Sequence, residues 1–457
     1  VIAGTLSPTA FRREVFIRQS VFEIRRYAMI TKRPRGTADI LPEEVGYWLF
    51  LEDTAREICA EYNYREIRTP VFEHTELFHR GVGDTTDIVE KEMYEFQDKG
   101  GRSITLRPEG TAPVVRAYLE NQLNSEAQPV KLFYIGPMFR YGRPQMGRLR
   151  QFHQFGIEVF GTHDPAIDAE VMALCMDYFA RLGLCGLQLR INTVGCHVCR
   201  PINRAKLQEY LKDYLDDLCD TCKGRYERNP LRIFDCKSES CRKIVSGAPT
   251  PADTLCPECS EHFQLVKEYL SMLDIPFVED RELVRGLDYY TRTAFEVVAD
   301  GLGAQSSIGG GGRYDALVET CGGPDTPGMG FALGLERIIL SLQAQGVEVT
   351  QQDKNAVFVA TLSGEESPLE VKKAFQIQAL LRGKGFSADK DYLGRSLKAQ
   401  MKYANKKGFR YAVIVGGEEL SRGCVILRHM ETGEQQEVAI ETITTALKSW
   451  QGGNGCG

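Results

Sequence analysis

The sequence predicts an α+β protein, in which an antiparallel sheet with flanking helices is interrupted by an insertion and followed by a small α/β domain. Three observations carry that expectation. Between residues 29 and 347, strand-like runs are broken by helices that open from turns of small residues. Eight of the fourteen cysteines crowd into residues 196–259. After Asp353 the pattern changes to alternating strand and helix units. With 457 residues and 43% hydrophobic content the chain can bury a large core, and two or three domains are expected. No run of eighteen or more apolar residues occurs, so no membrane span is expected.

Residues 1–28 carry Arg12, Arg13, Arg18, Arg25 and Arg26 against only Glu14 and Glu23. They read as an N-terminal extension outside the fold, from an over-extended reading frame or a valine start rather than a transit peptide. Pro42 to Tyr62 predicts a helix, with Trp48, Leu49, Leu51, Ala55 and Ile58 as its apolar stripe. An extended run, REIRTPVFEHTELF, follows, and Pro70 inside it argues for an edge or interface strand. From Ile104 a strand breaks at Pro108 and a helix begins after Gly110. Residues 131–161 form two apolar strand-like runs around a loop with Arg140, Arg143, Arg148 and Arg150. Such a hairpin presents guanidinium forks, which bind phosphate oxygens bidentately.

The segments SSIGGGGRYDALVE and TPGMGFALGLERIIL each pass from small residues into a helix. Alone, four consecutive glycines suggest a flexible loop; beside a site they allow close backbone approach to a ligand. The main domain is therefore placed at 29–195 and 282–347, with 196–281 inserted and 353–457 as the final domain. In that last domain NAVFVATL reads as a strand, and a helix opens at Ser367-Pro368 with Glu370 in capping-box position. Val371, Ala374, Phe375 and Leu381 are its expected buried face, and Gly383 and Gly385 its end.

The net charge of −6 argues against a global attraction to nucleic acid, yet it is uneven. Residues 353–457 hold 15 Lys+Arg against 12 Asp+Glu, a net +3. Lys390, Arg395, Lys398, Lys402, Lys406, Lys407 and Arg410 share a 21-residue run with Asp391 as its one acid. Tyr403 and Phe409, interleaved there, are candidates for stacking on unpaired bases. The alternative is a solvated charged helix.

The clustered cysteines form four pairs: Cys196/Cys199, Cys219/Cys222, Cys236/Cys241 and Cys256/Cys259. Three pairs are spaced C-x2-C, which lets two thiolates on one turn reach the same tetrahedral ion. One or two structural Zn²⁺ sites are expected, with Cys219, Cys222, Cys256 and Cys259 as the leading ligands; free buried thiols are the alternative.

The run KLFYIGPMFRYGRPQMGRLRQFHQFGIEVFG resembles motif two of the class II aminoacyl-tRNA synthetases, in its histidyl-tRNA synthetase version. ITLRPEGT, LVRGLDYYTRTAFEVV and GMGFALGLER extend the resemblance, which covers roughly residues 31–445. It implies a class II antiparallel sheet, a C-terminal anticodon-binding domain, a homodimer, and ligation of L-histidine to tRNA(His) through an adenylate made from ATP with Mg²⁺; a cytoplasmic location is the default expectation once residues 1–28 are not read as a transit peptide. By resemblance Arg140, Arg285 and Arg337 stabilise charge on the phosphates, Arg140 and Arg337 as ATP contacts. Glu109, Thr111 and Gln154 would hold the amino group of histidine, Arg285 its carboxylate side, and Glu158 with Tyr289 and Tyr290 its ring. A carboxylate and a phenol on opposite edges suit a ring with two nitrogens. Without the resemblance, Glu109 and Thr111 read equally as a capped helix entry. Arg143, Gln145 and Arg150 would touch the acceptor end of the tRNA, and Arg395, Lys398 and Lys402 its anticodon arm.

One position departs from the family pattern. Where motif two has a glutamate that helps to seat the nucleotide, this chain has Gly142, and the expectation is either a substitute from backbone groups or a neighbouring side chain, or a lower affinity for ATP. The competing expectation is the non-catalytic paralogue that regulates ATP phosphoribosyltransferase, which lacks the C-terminal domain and loses active-site residues.

Overall fold

The computed structural model describes residues 31–83, 86–299, 307–349, 356–362 and 368–452. The extension at 1–28 and the cap at Ser367 fall outside those residues. The chain divides into two compact units at residues 349 and 350.

The first unit is built on an eight-stranded sheet. Its spine is the long hairpin Val130–Phe139 and Gln151–Phe160, paired from Val130 opposite Phe160 to Phe139 opposite Gln151. Next to it lie Gly328–Gly334, Ser307–Arg313, Thr291–Ala299 and Leu187–Thr193, all antiparallel. Short parallel strands, Arg65–Glu66 and Phe277–Glu279, close the two edges. The two-residue period of a strand separates the faces. Phe155, Ile157 and Val159 join Phe295 and Val297 in a core roofed by helices Val45–Glu61, Pro165–Arg181, Pro257–Met272 and Leu335–Ala344. Gln154, Glu158 and Glu296 fall in the opposite phase, and that face bears the candidate site.

A three-stranded sheet, ordered Phe72–His74, Ser103–Leu106, Tyr94–Gln97, lies beside the main one and places the segment after Pro70 at an edge. The expected extended run ends early, because Thr75–Val82 is a helix. Phe78 and Val82, one turn apart, bury against Ile88, Val89 and Ala112, which rewards a helical period over an extended one. The four glycines are likewise a central strand rather than a loop. A Cβ on Gly311 would stand 2.0 Å from the Gly330 carbonyl, so the close strand spacing there excludes side chains.

The insertion is shorter than 196–281. Helix Pro257–Met272 packs on Pro165–Arg181, and Phe277–Glu279 completes the main sheet. The independent core of the insertion runs from Leu207 to Ala248.

The second unit has a five-stranded sheet ordered Ala388–Lys390, Val357–Thr361, Tyr411–Val415, Cys424–His429, Gln435–Ala439. The first three strands are parallel and the last two antiparallel additions. Helix Pro368–Gly383 buries Ala374, Ile377 and Leu381. Val371 and Phe375 are exposed, contrary to expectation. Val371 belongs to the first turn, before the packed stretch, and Phe375 points roughly 100° round from Ala374. Among the described residues no helix is long and apolar enough to cross a membrane.

Candidate active site

A cavity of about 400 Å³ opens on the polar-phase face of the main sheet. Its walls include Glu109, Thr111, Arg140, Gln154, Arg285, Tyr289, Tyr290 and Arg337, so eight of the expected site residues converge from five separate stretches of chain.

Glu109 precedes helix Thr111–Glu120 and accepts from the backbone N–H groups of Thr111 (2.9 Å) and Ala112 (2.8 Å). The capped helix entry and the site carboxylate are thus the same group. Burial raises its pKa, and the two N–H bonds oppose the rise. The Tyr289 hydroxyl donates a long 3.5 Å contact to it.

Glu158 is buried just behind the cavity wall. It accepts from the Thr111 hydroxyl at 2.7 Å and from the Tyr314 hydroxyl. Burial drives its pKa well above the ordinary carboxylate range. Gly330 stands on the wall in front of it, and a Cβ there would lie 2.2 Å from the Glu158 Oε2. The missing side chain is what gives the carboxylate room to lie over the neighbouring strand. Gly310 does the same for Arg285, whose Nη1 would be 2.9 Å from a Cβ at that position. Tyr290 leans on Tyr289 with ring centroids 4.8 Å apart.

The arginines are held by their surroundings. Arg140 donates from Nε to the Pro108 carbonyl at 2.7 Å and lies over the Phe152 ring, and burial lowers its pKa. Arg285 pairs with Glu296 at 2.9 Å, while its Nε is buried and unpartnered. Arg337 spans the carbonyls of Gly147 and Ser307 at 3.2 and 2.7 Å. Gln154 Oε1 and the Tyr134 hydroxyl are also buried without partners. Unsatisfied polar atoms gathered beside one cavity are the mark of a surface completed by a ligand.

Other expected residues lie elsewhere. Arg143 and Gln145 are exposed on the hairpin loop. Arg150 is engaged within the chain: it stacks 3.8 Å from the Tyr141 ring centroid and its N–H donates to Gly36. In the second unit Lys398 and Lys402 are exposed one turn apart on helix Leu397–Lys406, whereas Arg395 is tied to Asp391 at 3.0 Å and to the Tyr403 ring. Tyr403 and Phe409 pack on Phe358 as part of a small core, which occupies the rings expected to stack on bases. Cys219, Cys222, Cys256 and Cys259 do not share one site. The first two join Cys236 and Cys241, and the last two join Cys196 and Cys199. Sequence spacing identifies pairs but says nothing of which pairs meet.

Several contributors were not expected. Tyr314, Tyr134 and Glu296 support the expected residues, and Asp235 enters the cavity wall from the insertion. Glu92 is the most informative. Its side chain pairs with Arg148, and its Oε1 lies 3.3 Å from where a Cβ on Gly142 would be. The Arg148 guanidinium, at 3.0 Å, and the carboxylate of Glu92 paired with it therefore border the place left by the glycine.

A family model described as histidyl-tRNA synthetase matches residues 36–221 and 242–338, and an anticodon-binding domain model matches 356–450. A histidine–tRNA ligase of Desulforamulus reducens is 60% identical over 422 residues, which is 92% of this chain and 100% of that protein. The crystal structure of apo S. aureus histidyl-tRNA synthetase superposes with a TM-score of 0.78 at 39% identity, covering 92% of this chain and 100% of that one. A structure from Bacillus halodurans titled as an ATP phosphoribosyltransferase regulatory subunit/histidyl-tRNA synthetase shares the fold, with a TM-score of 0.60 at 20% identity over 85% of this chain and 99% of that one. With the matched model spanning more than half of its length, the chain belongs to the histidyl-tRNA synthetase family.

Proposed function

We propose that this chain activates L-histidine with ATP and transfers it to tRNA(His). The observation that carries the reading is one cavity whose wall brings the buried carboxylate of Glu109, with Gln154 and Tyr290, together with the guanidinium groups of Arg140, Arg285 and Arg337.

In this reading Glu158 and Tyr290 receive the two edges of the imidazole, and Glu109, Thr111 and Gln154 receive the α-ammonium. The histidine carboxylate then faces the α-phosphate, attacks it, and pyrophosphate leaves. Arg285 stabilises charge at the reacting centre, and Arg140 and Arg337 hold the outer phosphates. These groups are fixed before substrate arrives, so little reorganisation accompanies the build-up of charge. Glu92 substitutes for the glutamate absent at residue 142 by orienting Arg148 toward the nucleotide. Mg²⁺ bound with ATP would offset part of the phosphate charge. Glu296, a partly exposed carboxylate on the cavity wall, fits a hard cation that prefers oxygen and keeps most of its waters.

The tRNA is read by two surfaces. Arg143 and Gln145 face the acceptor end, and Lys398 with Lys402 on the exposed helix of the second unit meets the anticodon arm. A homodimer is supported by the small three-stranded sheet, where Val71, Phe72 and Phe96 are apolar and exposed. The regulatory paralogue would have lost the residues that here line the cavity, and the second unit would have no use in it.

The test is ATP–pyrophosphate exchange with purified protein, comparing histidine with the other amino acids. Exchange with histidine alone is expected. Absence of exchange from folded protein would overturn the assignment.

A further inference from the structure

The eight clustered cysteines take no part in the chemistry above, and their geometry is specific. They form two groups of four: Cys196, Cys199, Cys256 and Cys259, and Cys219, Cys222, Cys236 and Cys241. Within each group the sulfurs lie within 4.8 Å of one another. Cys196 Sγ is 3.7 Å from Cys199 Sγ and 3.9 Å from Cys256 Sγ, and Cys219 Sγ is 3.8 Å from Cys236 Sγ. A Zn–S bond of about 2.3 Å in a tetrahedron requires sulfur–sulfur edges of about 3.8 Å. Disulfides would bring the sulfurs to about 2.05 Å. An iron–sulfur cluster would push them further apart, because its own body separates the cysteines.

Backbone N–H groups are aimed at the sulfurs as well. Cys256 N–H points to Cys199 Sγ (3.1 Å), Val198 N–H to Cys196 Sγ (3.4 Å), Cys219 N–H to Cys241 Sγ (3.3 Å) and Ser238 N–H to Cys236 Sγ (3.4 Å). Donors of this kind stabilise thiolate charge and orient ligands around a metal. The apolar core of the insertion, Leu207, Leu211, Leu218, Ile233, Val245 and Ala248, is small for a free-standing fold, the situation in which small domains use a structural metal.

We infer that the insertion holds two structural Zn²⁺ ions, each in a Cys₄ tetrahedron. The first, at Cys196, Cys199, Cys256 and Cys259, closes the neck through which the chain leaves and re-enters the main unit. The second, at Cys219, Cys222, Cys236 and Cys241, holds the segment that borders the cavity. Arg225 and Arg232 from that segment reach Asp87 at 3.1 and 3.4 Å, Asn229 reaches Asp288 at 2.7 Å, and Asp235 stands on the cavity wall beside Cys236. The inner ion thus fixes one wall of the cavity from outside it.

Metal analysis of the full chain, grown with zinc and purified without chelator, tests this independently of activity. Two zinc ions per chain are expected, with the eight cysteines protected from a thiol reagent until a chelator is added. Cys199→Ser and Cys222→Ser should each lower the content to one. Should those variants fail to fold, Co²⁺ exchanged into the unaltered protein should give thiolate charge-transfer and tetrahedral d–d bands for two sites. Less than half an equivalent of zinc with all eight thiols reactive in the native protein, or iron as the stoichiometric metal, would overturn the inference.

Discussion

Asp168 and Glu158 are both fully buried carboxylates of the same unit, at 0% and 1% exposure, and their surroundings differ in kind. Asp168 is charge-paired: its Oδ2 accepts from the Thr293 hydroxyl at 2.6 Å, His262 Nε2 at 2.8 Å and Arg313 Nε at 3.0 Å, and Oδ1, which has no hydrogen bond of its own, lies 2.7 Å from the same guanidinium. Glu158 accepts two hydroxyl bonds and has no cationic partner. The residues that serve them are neighbours in sequence. Arg313 reaches Asp168 on the helix-covered face, and Tyr314 reaches Glu158 on the cavity face. One buried acid is neutralised by the fold and belongs to stability. The other has hydroxyl donors but no charge partner within the fold, which is what the proposed role at the imidazole of histidine requires.

That contrast predicts a ranking of effects. The largest should follow Asp168→Ala, which strands a buried guanidinium; breaking a pair of this kind costs about 3–5 kcal/mol, read from denaturant unfolding. A loss of less than about 1 kcal/mol, that of an ordinary substitution, would break the comparison. Next, Glu158→Gln should lower histidine-dependent exchange about ten- to a hundredfold, the range for one charge-assisted hydrogen bond. The same change should raise the melting temperature. The sign follows from linkage: burial raises the pKa of Glu158 above its ordinary 4.5, so its favourable contribution is complete below pH 4.5 and is lost as pH rises toward the folded value. The gain from Glu158→Gln should therefore be absent at low pH and grow above 4.5, and a pH-independent melting difference would refute it. The smallest effect concerns a third, half-buried acid. Glu92→Gln should raise the KM for ATP by about three- to tenfold with kcat little changed, as expected for one weakened contact to a charged partner. Adding Gly142→Glu should restore the KM, since the atoms nearest to a Cβ there are the movable side-chain ends of Arg148 and Glu92.

Much of this was legible in the sequence where a signal is local. The helix entry at Glu109, the arginine hairpin and the strand-to-helix passage at Gly334 all follow from neighbouring residues. What failed depends on contacts distant along the chain. Nothing near Glu92 announces that it will stand at Gly142, and nothing near Cys219 says that Cys236 rather than Cys256 will meet it. Tyr314 had a usable signal, since it follows a run whose strand phase sets it opposite Arg313, but only once the four glycines are read as a strand. Aromatic residues in a basic run misled for a related reason: Tyr403 and Phe409 had Phe358 to pack on, and burial took them.

The neck of the insertion has a topological consequence. Cys196 and Cys256 are sixty positions apart in sequence and 3.9 Å apart at their sulfurs, so the chain returns almost to where it left. No strand of the main sheet lies between them. The segment is therefore a cassette: it can be lengthened, shortened or exchanged without reordering a single strand, and the cavity wall it carries can be altered while the rest of the enzyme keeps its connectivity.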